Sequence, residues 1–534
     1  MATAAFRAAA TPIIPAVEAD DRYKHKYAIA IAVTLAATLE LLDTSIVNVA
    51  IPHMMGNLGA TLDEISWVSV SYIIANVIVI PMSPWLSAYF GRKNYLTGSI
   101  TLFIVASMFC GAAGSLGGLI FWRVIQGIGG GALLSTAQST LWEAFPPKEI
   151  GIGQAMFGVG VMVGPTLGPT VGGFIVDNWS WPWIFYINLP LGIIAAMLVW
   201  TYVKDSIHQE RAEKVDWLGI GLLTVTVGSV QWMLERGERY DWFESPFVSG
   251  LGIVFVVSLA WLIWHELNTD EPVINFRILK DRQLATGVVM GALLGFGLFG
   301  SVFILPVFLQ TLHGFTANQT GMVILPGAIA SAITMAILGR KARSIPDGRP
   351  VIVIGSLLFM LCMWQLAQMT MDTSQADLFW PLVVRGVGLG LIFIPLNSIA
   401  LASLPPRDLA QGTGMFNLMR QLGGSMGIAV MATLLSRFTK EKKSLLAEHL
   451  SITTPDALAR IDAYTHGLMA KGMSASVAKQ VALTMMDRTV SVQASVLAFS
   501  RVYLLSGLAL LIVLPLMFFW KTGKGRQAVQ MDAH

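Results

Sequence analysis

Pro146-Pro147-Lys148-Glu149-Ile150, followed by Gly153, Met156, Phe157, Gly164 and Gly168, returns 259 residues later as Pro405-Pro406-Arg407-Asp408-Leu409, Gly412, Met415, Phe416, Gly423 and Gly427. Upstream, Gly127, Gly129 and Gly131 return at the same offset as Gly386, Gly388 and Gly390. A proline pair and this many further positions held in one register mark an internal duplication. What was duplicated follows from the runs in which the two copies lie.

Those runs are apolar. Of 534 residues, 54% are hydrophobic and 13% charged, against about 25% charged in a soluble globular chain. Lys and Arg number 35 and Asp and Glu 32, a balance that gives no reason to expect nucleic acid as a partner. Uncharged or nearly uncharged stretches bounded by Gly, Pro and charge clusters fall at 27–51, 65–86, 95–113, 119–142, 152–176, 183–203, 217–234, 247–264, 284–308, 319–338, 351–367, 378–402, 412–435 and 496–520. A membrane-spanning helix needs roughly 20 such residues, so the sequence predicts fourteen spans in an all-α polytopic membrane protein bathed in lipid. The first run holds Glu40 and Asp43 and lies behind a polar tail, so it does not read as a cleavable signal peptide.

The repeat maps run 4 on run 12 and run 5 on run 13. The expected organisation is therefore a tail at 1–26, a six-helix bundle at 27–203, an inserted pair of central helices within 204–283, a second six-helix bundle at 284–520, and a tail at 521–534. An offset of eight spans keeps both copies in one orientation, as in transporters whose halves are related by an axis along the membrane normal, with the substrate path between them. Lys and Arg in alternate connections, both tails included, total 21 on one side, whereas the short connections on the other hold only Arg236 and Arg239. The positive side faces the cytoplasm, so both termini are expected there. The connection 436–495 is expected outside; with eight Lys and Arg it is too long to obey the charge rule.

The motifs inside the runs carry the chemistry. Arg123-Val124-Ile125-Gln126-Gly127-Ile128-Gly129-Gly130-Gly131-Ala132 contains a dinucleotide-like glycine pattern, but that fingerprint needs a preceding strand and this one lies in a single apolar run, where glycines let helices approach closely. No phosphate-binding Gly-x4-Gly-Lys-Ser/Thr loop occurs, which argues against an ATP-driven pump. Gly164-Pro165-Thr166-Leu167-Gly168-Pro169, with Gly172 and Gly173, reads as a packing helix or as a bending element between the halves. Ionisable residues at membrane depth are Glu40, Asp43, Arg123, Arg385 and Arg420, with Arg501 near an outer end; each is costly in hydrocarbon. Glu40 and Asp43 are three residues apart on one helix. Burial and mutual repulsion predispose such a pair to take up a proton, unless Asp43 merely ties its helix to Arg123. Amides and arginines that are candidates to line a substrate path are Asn48, Asn76, Gln126, Gln138, Gln310, Arg385, Asn397, Asn417, Arg420 and Gln421. The excess of deep arginines over carboxylates favours neutral or weakly acidic substrates over dications. His53, His265 and His313 show no metal-ligand spacing, so no metal is expected.

Leu42-Asp43-Thr44-Ser45-Ile46-Val47-Asn48-Val49-Ala50-Ile51-Pro52, Arg123-x-x-Gln126-Gly127 and Gly164-Pro165-x-x-Gly168-Pro169-x-x-Gly172-Gly173 resemble the signatures of the fourteen-span drug:proton antiporters of the major facilitator superfamily, in particular the EmrB-like inner-membrane subunits of the EmrB/QacA group. The similarity runs from about Tyr27 to Trp520. It implies the major facilitator fold, multidrug efflux driven by the proton gradient with no cofactor and no enzymatic activity, and coupling through Asp43 and Arg123. It further implies a bacterial inner membrane, a periplasmic membrane-fusion adaptor and an outer-membrane channel. The cytoplasmic loop signature is reduced to Gly91, Arg92 and Lys93, because Pro84 and Ala88 stand where the family has Gly and Asp. The rival readings are a receptor or scaffold that kept the fold without transport, and a transporter dedicated to one metabolite.

Overall fold

The computed structural model describes residues 23–146, 148–206, 214–341, 347–448 and 455–517; both expected tails lie mostly outside this set. Among the described residues, fourteen helices are long and apolar enough to cross a membrane. We number them α1 (Lys26–Leu58), α2 (Leu62–Phe90), α3 (Arg92–Gly111), α4 (Leu116–Ala144), α5 (Ile150–Asn178), α6 (Trp183–Tyr202), α7 (Trp217–Arg236), α8 (Pro246–Asn268), α9 (Arg282–Thr311), α10 (Ala317–Lys341), α11 (Arg349–Leu366), α12 (Gln375–Leu401), α13 (Leu409–Glu448) and α14 (Ala475–Leu516). No strand occurs among the described residues.

The repeated glycines do the same work in both halves. In α4, Gly127 and Gly131 rest on the backbone of α2 at Tyr72 and Asn76, and Gly129 on α3 at Phe103; in α12, Gly386 and Gly390 rest on α10 at Gly327 and Ser331, and Gly388 on α11 at Gly355 and Phe359. Gly164 and Gly168 of α5 abut α1 at Leu41 and Ser45, and their equivalents Gly423 and Gly427 of α13 abut α9 at Ala292 and Phe296. Lipid offers no hydrophobic drive for helices to associate, so close backbone approach at small residues supplies the attraction through van der Waals packing. The glycine run in α4 is thus helix interior, as its apolar setting implied.

The start of α1, the α2–α3 turn and the α4–α5 turn share one face, tied by Lys26 to Glu149, Arg92 to Glu143 at 2.8 Å and the Lys93 amide to Asp205 at 2.9 Å. We call it the tail face. From the opposite, hairpin face the chain extends furthest between α13 and α14. Helix continues at both ends of the connection expected at 436–495: α13 runs on to Glu448 and α14 begins at Ala475, with a short helix, Pro455–Ala470, between them. Forty residues of α13 make a rod of about 60 Å, far more than the roughly 30 Å of hydrocarbon. Ion pairs Lys443–Asp487 at 2.8 Å and Arg501–Glu441 at 3.2 Å link the two helices. The pair α7–α8 lies over the seam of α2 with α13: Gln231 donates to Ser425 at 2.8 Å, Trp242 to Thr433 at 2.9 Å, and Arg236 stacks over Trp67.

Candidate functional site

Asp43 and Glu40 point to different neighbours, although the sequence placed them on one helical face. Asp43 turns toward α4 and α6. Its Oδ2 accepts from Arg123 Nη1 at 2.6 Å, and its Oδ1 accepts from Gln126 Nε2 at 2.9 Å and Asn188 Nδ2 at 2.8 Å. Arg123 is held in turn: Nη1 also donates to Gln126 Oε1 at 2.7 Å, Nε donates to the Val68 carbonyl at 2.9 Å, and the guanidinium lies 4.1 Å from the Tyr72 ring centre. Asp43 is 0% and Arg123 1% exposed. A buried carboxylate and guanidinium offset the cost of leaving water only when their remaining donors and acceptors are used, and most of these are.

Glu40, 3% exposed, looks toward the seam between the two sets of six helices. Asn76 Nδ2 of α2 donates to its Oε1 at 3.0 Å, while Oε2 has no hydrogen-bond partner among the described residues. Across the seam stands Arg420 of α13, which is 1% exposed and whose Nε and Nη1 are likewise without partners. The seam is knit toward the tail face by Gln138 Nε2 donating to Asn397 Oδ1 at 2.8 Å and Asn417 Nδ2 donating to Gln138 Oε1 at 2.7 Å. Gln138 and Asn397 are 259 residues apart, so the bond joins equivalent positions of the two repeats. A tail-face vestibule of about 440 Å³, lined by Arg92, Glu143, Asp205, Leu401 and Leu404 among others, reaches Thr140, just short of this bridge. Along α1 beyond Glu40, Thr44 is half-buried, and Asn48 and Pro52 are exposed.

Other candidates are dispersed. Arg385, at the repeat position of Gln126, faces Cys362 of α11 and Tyr503 of α14 and so lies among α11, α12 and α14, not on the seam. Asn48 accepts from Ser69 at 3.1 Å, Gln310 is exposed on α9, and Gln421 is half-buried. With Arg123 matched to Asp43, Arg385 displaced and Arg501 paired with Glu441, the excess of positive charge counted along the chain does not collect at the seam, where one arginine meets one glutamate. Helix α5 runs unbroken through Pro165 and Pro169. Its Gly160, Gly164, Gly168 and Gly172 face α1, while Gly158 meets Met335 and Phe393 and Gly173 meets Asn318. It therefore packs within one half and borders the other. At the reduced loop, Gly91 adopts φ 82, Arg92 pairs with Glu143 and Lys93 lies over Trp200 at 4.3 Å.

Sequence reasoning missed Asn188 and Asp205. Asn188 sits at the break between the two helical pieces of α6 and also donates to Ser107 at 3.1 Å; its signal was an amide inside an apolar run ahead of Pro190. Asp205, just past α6, brings a carboxylate against Gly91 and the Lys93 amide, on a turn whose own sequence lacks the family's acid. Nothing local in the sequence announces that contact.

Residues 33–428 match the profile of the Major Facilitator Superfamily, and the chain belongs to that family. It is 32% identical to the multidrug export protein EmrB of Escherichia coli over 94% of this chain and 97% of that one, and 31% identical to the fatty acid resistance protein FarB of Neisseria gonorrhoeae over 92% and 96%. The colistin resistance protein EmrB of Acinetobacter baumannii is 27% identical over 95% of this chain and 99% of its own. Among solved structures, the proton:xylose symporter XylE superposes with a TM-score of 0.58 over 92% of this chain and 95% of its own, at 13% identity. The human organic anion transporter MFSD10 does so with 0.55 over 91% and 99%, also at 13% identity; these two likenesses speak for the fold.

Proposed function

We propose that this protein is a proton-coupled multidrug efflux transporter of a bacterial inner membrane that exports small hydrophobic or amphipathic compounds by alternating access. The observation that carries the reading is the buried constellation on α1, with Asp43 bound to Arg123 and Glu40 set at the seam. Near full-length similarity to proteins named for multidrug export and for fatty acid resistance supports it. The tail face is cytoplasmic and the hairpin face periplasmic. Proton and substrate then act by favouring different orientations of the two six-helix bundles, each shifting the population by its differential affinity. In inverted vesicles acidified by respiration, adding ethidium or a medium-chain fatty acid should release protons from the lumen only when the protein is present. Vesicles that hold their gradient with every such compound would favour a receptor or scaffold.

The bridge at Gln138 predicts how the orientations are balanced. Gln138→Leu strands Asn397 and Asn417, and a buried amide without its partner costs about 1–3 kcal/mol. The hairpin-open state should lose population, read as slower reaction of an Asn48→Cys variant with a membrane-impermeant maleimide. Cys110 and Cys362 are buried and give no background. Unchanged labelling would show that the bridge is not part of the gate.

The α13–α14 hairpin suits a periplasmic adaptor of the membrane-fusion type leading to an outer-membrane channel. It stands beyond the bilayer and exposes Leu445, Met469, Val477, Leu483 and Met485. Replacing 441–488 by a short polar linker should leave proton-coupled transport in vesicles within about twofold while abolishing resistance in cells. Retained cellular resistance excludes the docking role.

A further inference from the structure

We propose that Glu40, faced by Arg420 from the opposite bundle, is the group that takes up and releases the proton, and that Asp43 is a positioning residue that holds Arg123. The inference rests on the efflux reading and names the acid within it. Asp43 already accepts three side-chain hydrogen bonds, one from a guanidinium; a proton there would break the ion pair and leave Arg123 charged and uncompensated. Glu40 has one side-chain donor and one oxygen without a partner. The groups facing it are Asp43 one turn along α1, Tyr72 and Asn76 from α2, the backbone of Leu134 from α4, and Arg420 from α13. Arg420 has two nitrogens without partners among the described residues. Two incompletely bonded, oppositely charged groups therefore lie within electrostatic reach of each other across the seam, without forming an ion pair among the described residues.

Access follows the same helix. Glu40, Thr44, Asn48 and Pro52 are spaced by four along α1 and pass from buried through half-buried to exposed, a line leading from the hairpin face to the carboxylate. When Glu40 Oε2 takes a proton from that side, the carboxylate becomes a carboxylic acid and its attraction to Arg420 is lost. When the proton leaves toward the tail face, the attraction returns. The proton is thus counted as a force between the bundles, which the Asp43–Arg123 pair, lying wholly within one bundle, cannot supply.

Infrared difference spectra of the purified protein between acidic and alkaline pH test this without a substrate. With 32 Asp and Glu in the chain, the readout is the component of the protonated-carboxyl band that wild type shows and Glu40→Gln lacks; it should return in Glu40→Asp, and should persist to higher pH in Arg420→Gln with recovery in Arg420→Lys, since a facing cation favours the carboxylate. A Glu40→Gln spectrum identical to that of wild type, or a component whose midpoint is indifferent to Arg420, overturns the proposal. Should Glu40→Gln fail to fold, the shift of the band between wild type, Glu40→Asp, Arg420→Gln and Arg420→Lys still decides it. Wild-type proton release in vesicles with a spectrum unchanged by Glu40→Gln condemns this assignment alone; vesicles that move none of the probes condemn the efflux reading, and the infrared result still judges Glu40.

Discussion

Asp43→Asn should abolish proton-driven transport and also lower stability by about 3–5 kcal/mol, the cost of leaving a buried charge without its partner. An asparagine offers one acceptor where the carboxylate serves Arg123, Gln126 and Asn188, and its amide would confront the guanidinium. The loss should appear as a lower thermal midpoint in detergent and as aggregated material on size exclusion. Asp43→Asn with Arg123→Gln removes both charges and should recover most of the stability while transport stays absent. Glu40→Gln, which keeps an acceptor for Asn76 and mimics the protonated carboxyl, should stop coupling and cost less stability than Asp43→Asn, because Glu40 makes one side-chain hydrogen bond where Asp43 makes three. A single Asp43→Asn variant as stable as wild type would show that Arg123 finds other compensation and that the pair is not the tie between α1 and α4.

Gly423→Ala carries the other large effect. A methyl at Gly423 would collide with the carbonyl of Ala292, and one at Gly295 with the carbonyl of Arg420. Both obstacles are backbone, so neither can turn aside. Helices α9 and α13 must separate, and Arg420, one turn from Gly423, moves with them. Overpacking typically costs 1–3 kcal/mol and sometimes more; with backbone as the obstacle, we expect about 3 kcal/mol or more, seen as loss of monodisperse protein. Gly98→Ala on α3, where nothing lies within 4 Å, is the matched control and should be silent. If Gly423→Ala purifies and unfolds like Gly98→Ala, the glycine contact is not what sets the spacing of these helices.

Fourteen spans, the duplication and the deep acids were legible in the chain because the bilayer imposes them locally: each span must be long and apolar enough by itself, and each charge inside one stands out. The glycines at the 259-residue offset could be read as packing positions before their partners were known, since close approach needs the absence of a side chain whichever helix arrives. Side-chain direction was not legible. Three residues of helix separate Glu40 from Asp43, yet one is claimed by the interior of a bundle through Arg123, Gln126 and Asn188 and the other is left at the seam with Asn76 and Arg420. The displacement of Arg385 to Cys362 and Tyr503, the Gln138–Asn397 bridge and the arrival of Asp205 at Gly91 have the same origin. Each depends on which helices from distant parts of the chain become neighbours, and a single polar residue in an apolar run carries no mark of the partner that will meet it. The sequence by itself determined how many helices cross the membrane and where the costly charges lie along them; only the tertiary structure decided which of those charges are spent within a bundle and which are left facing across the seam.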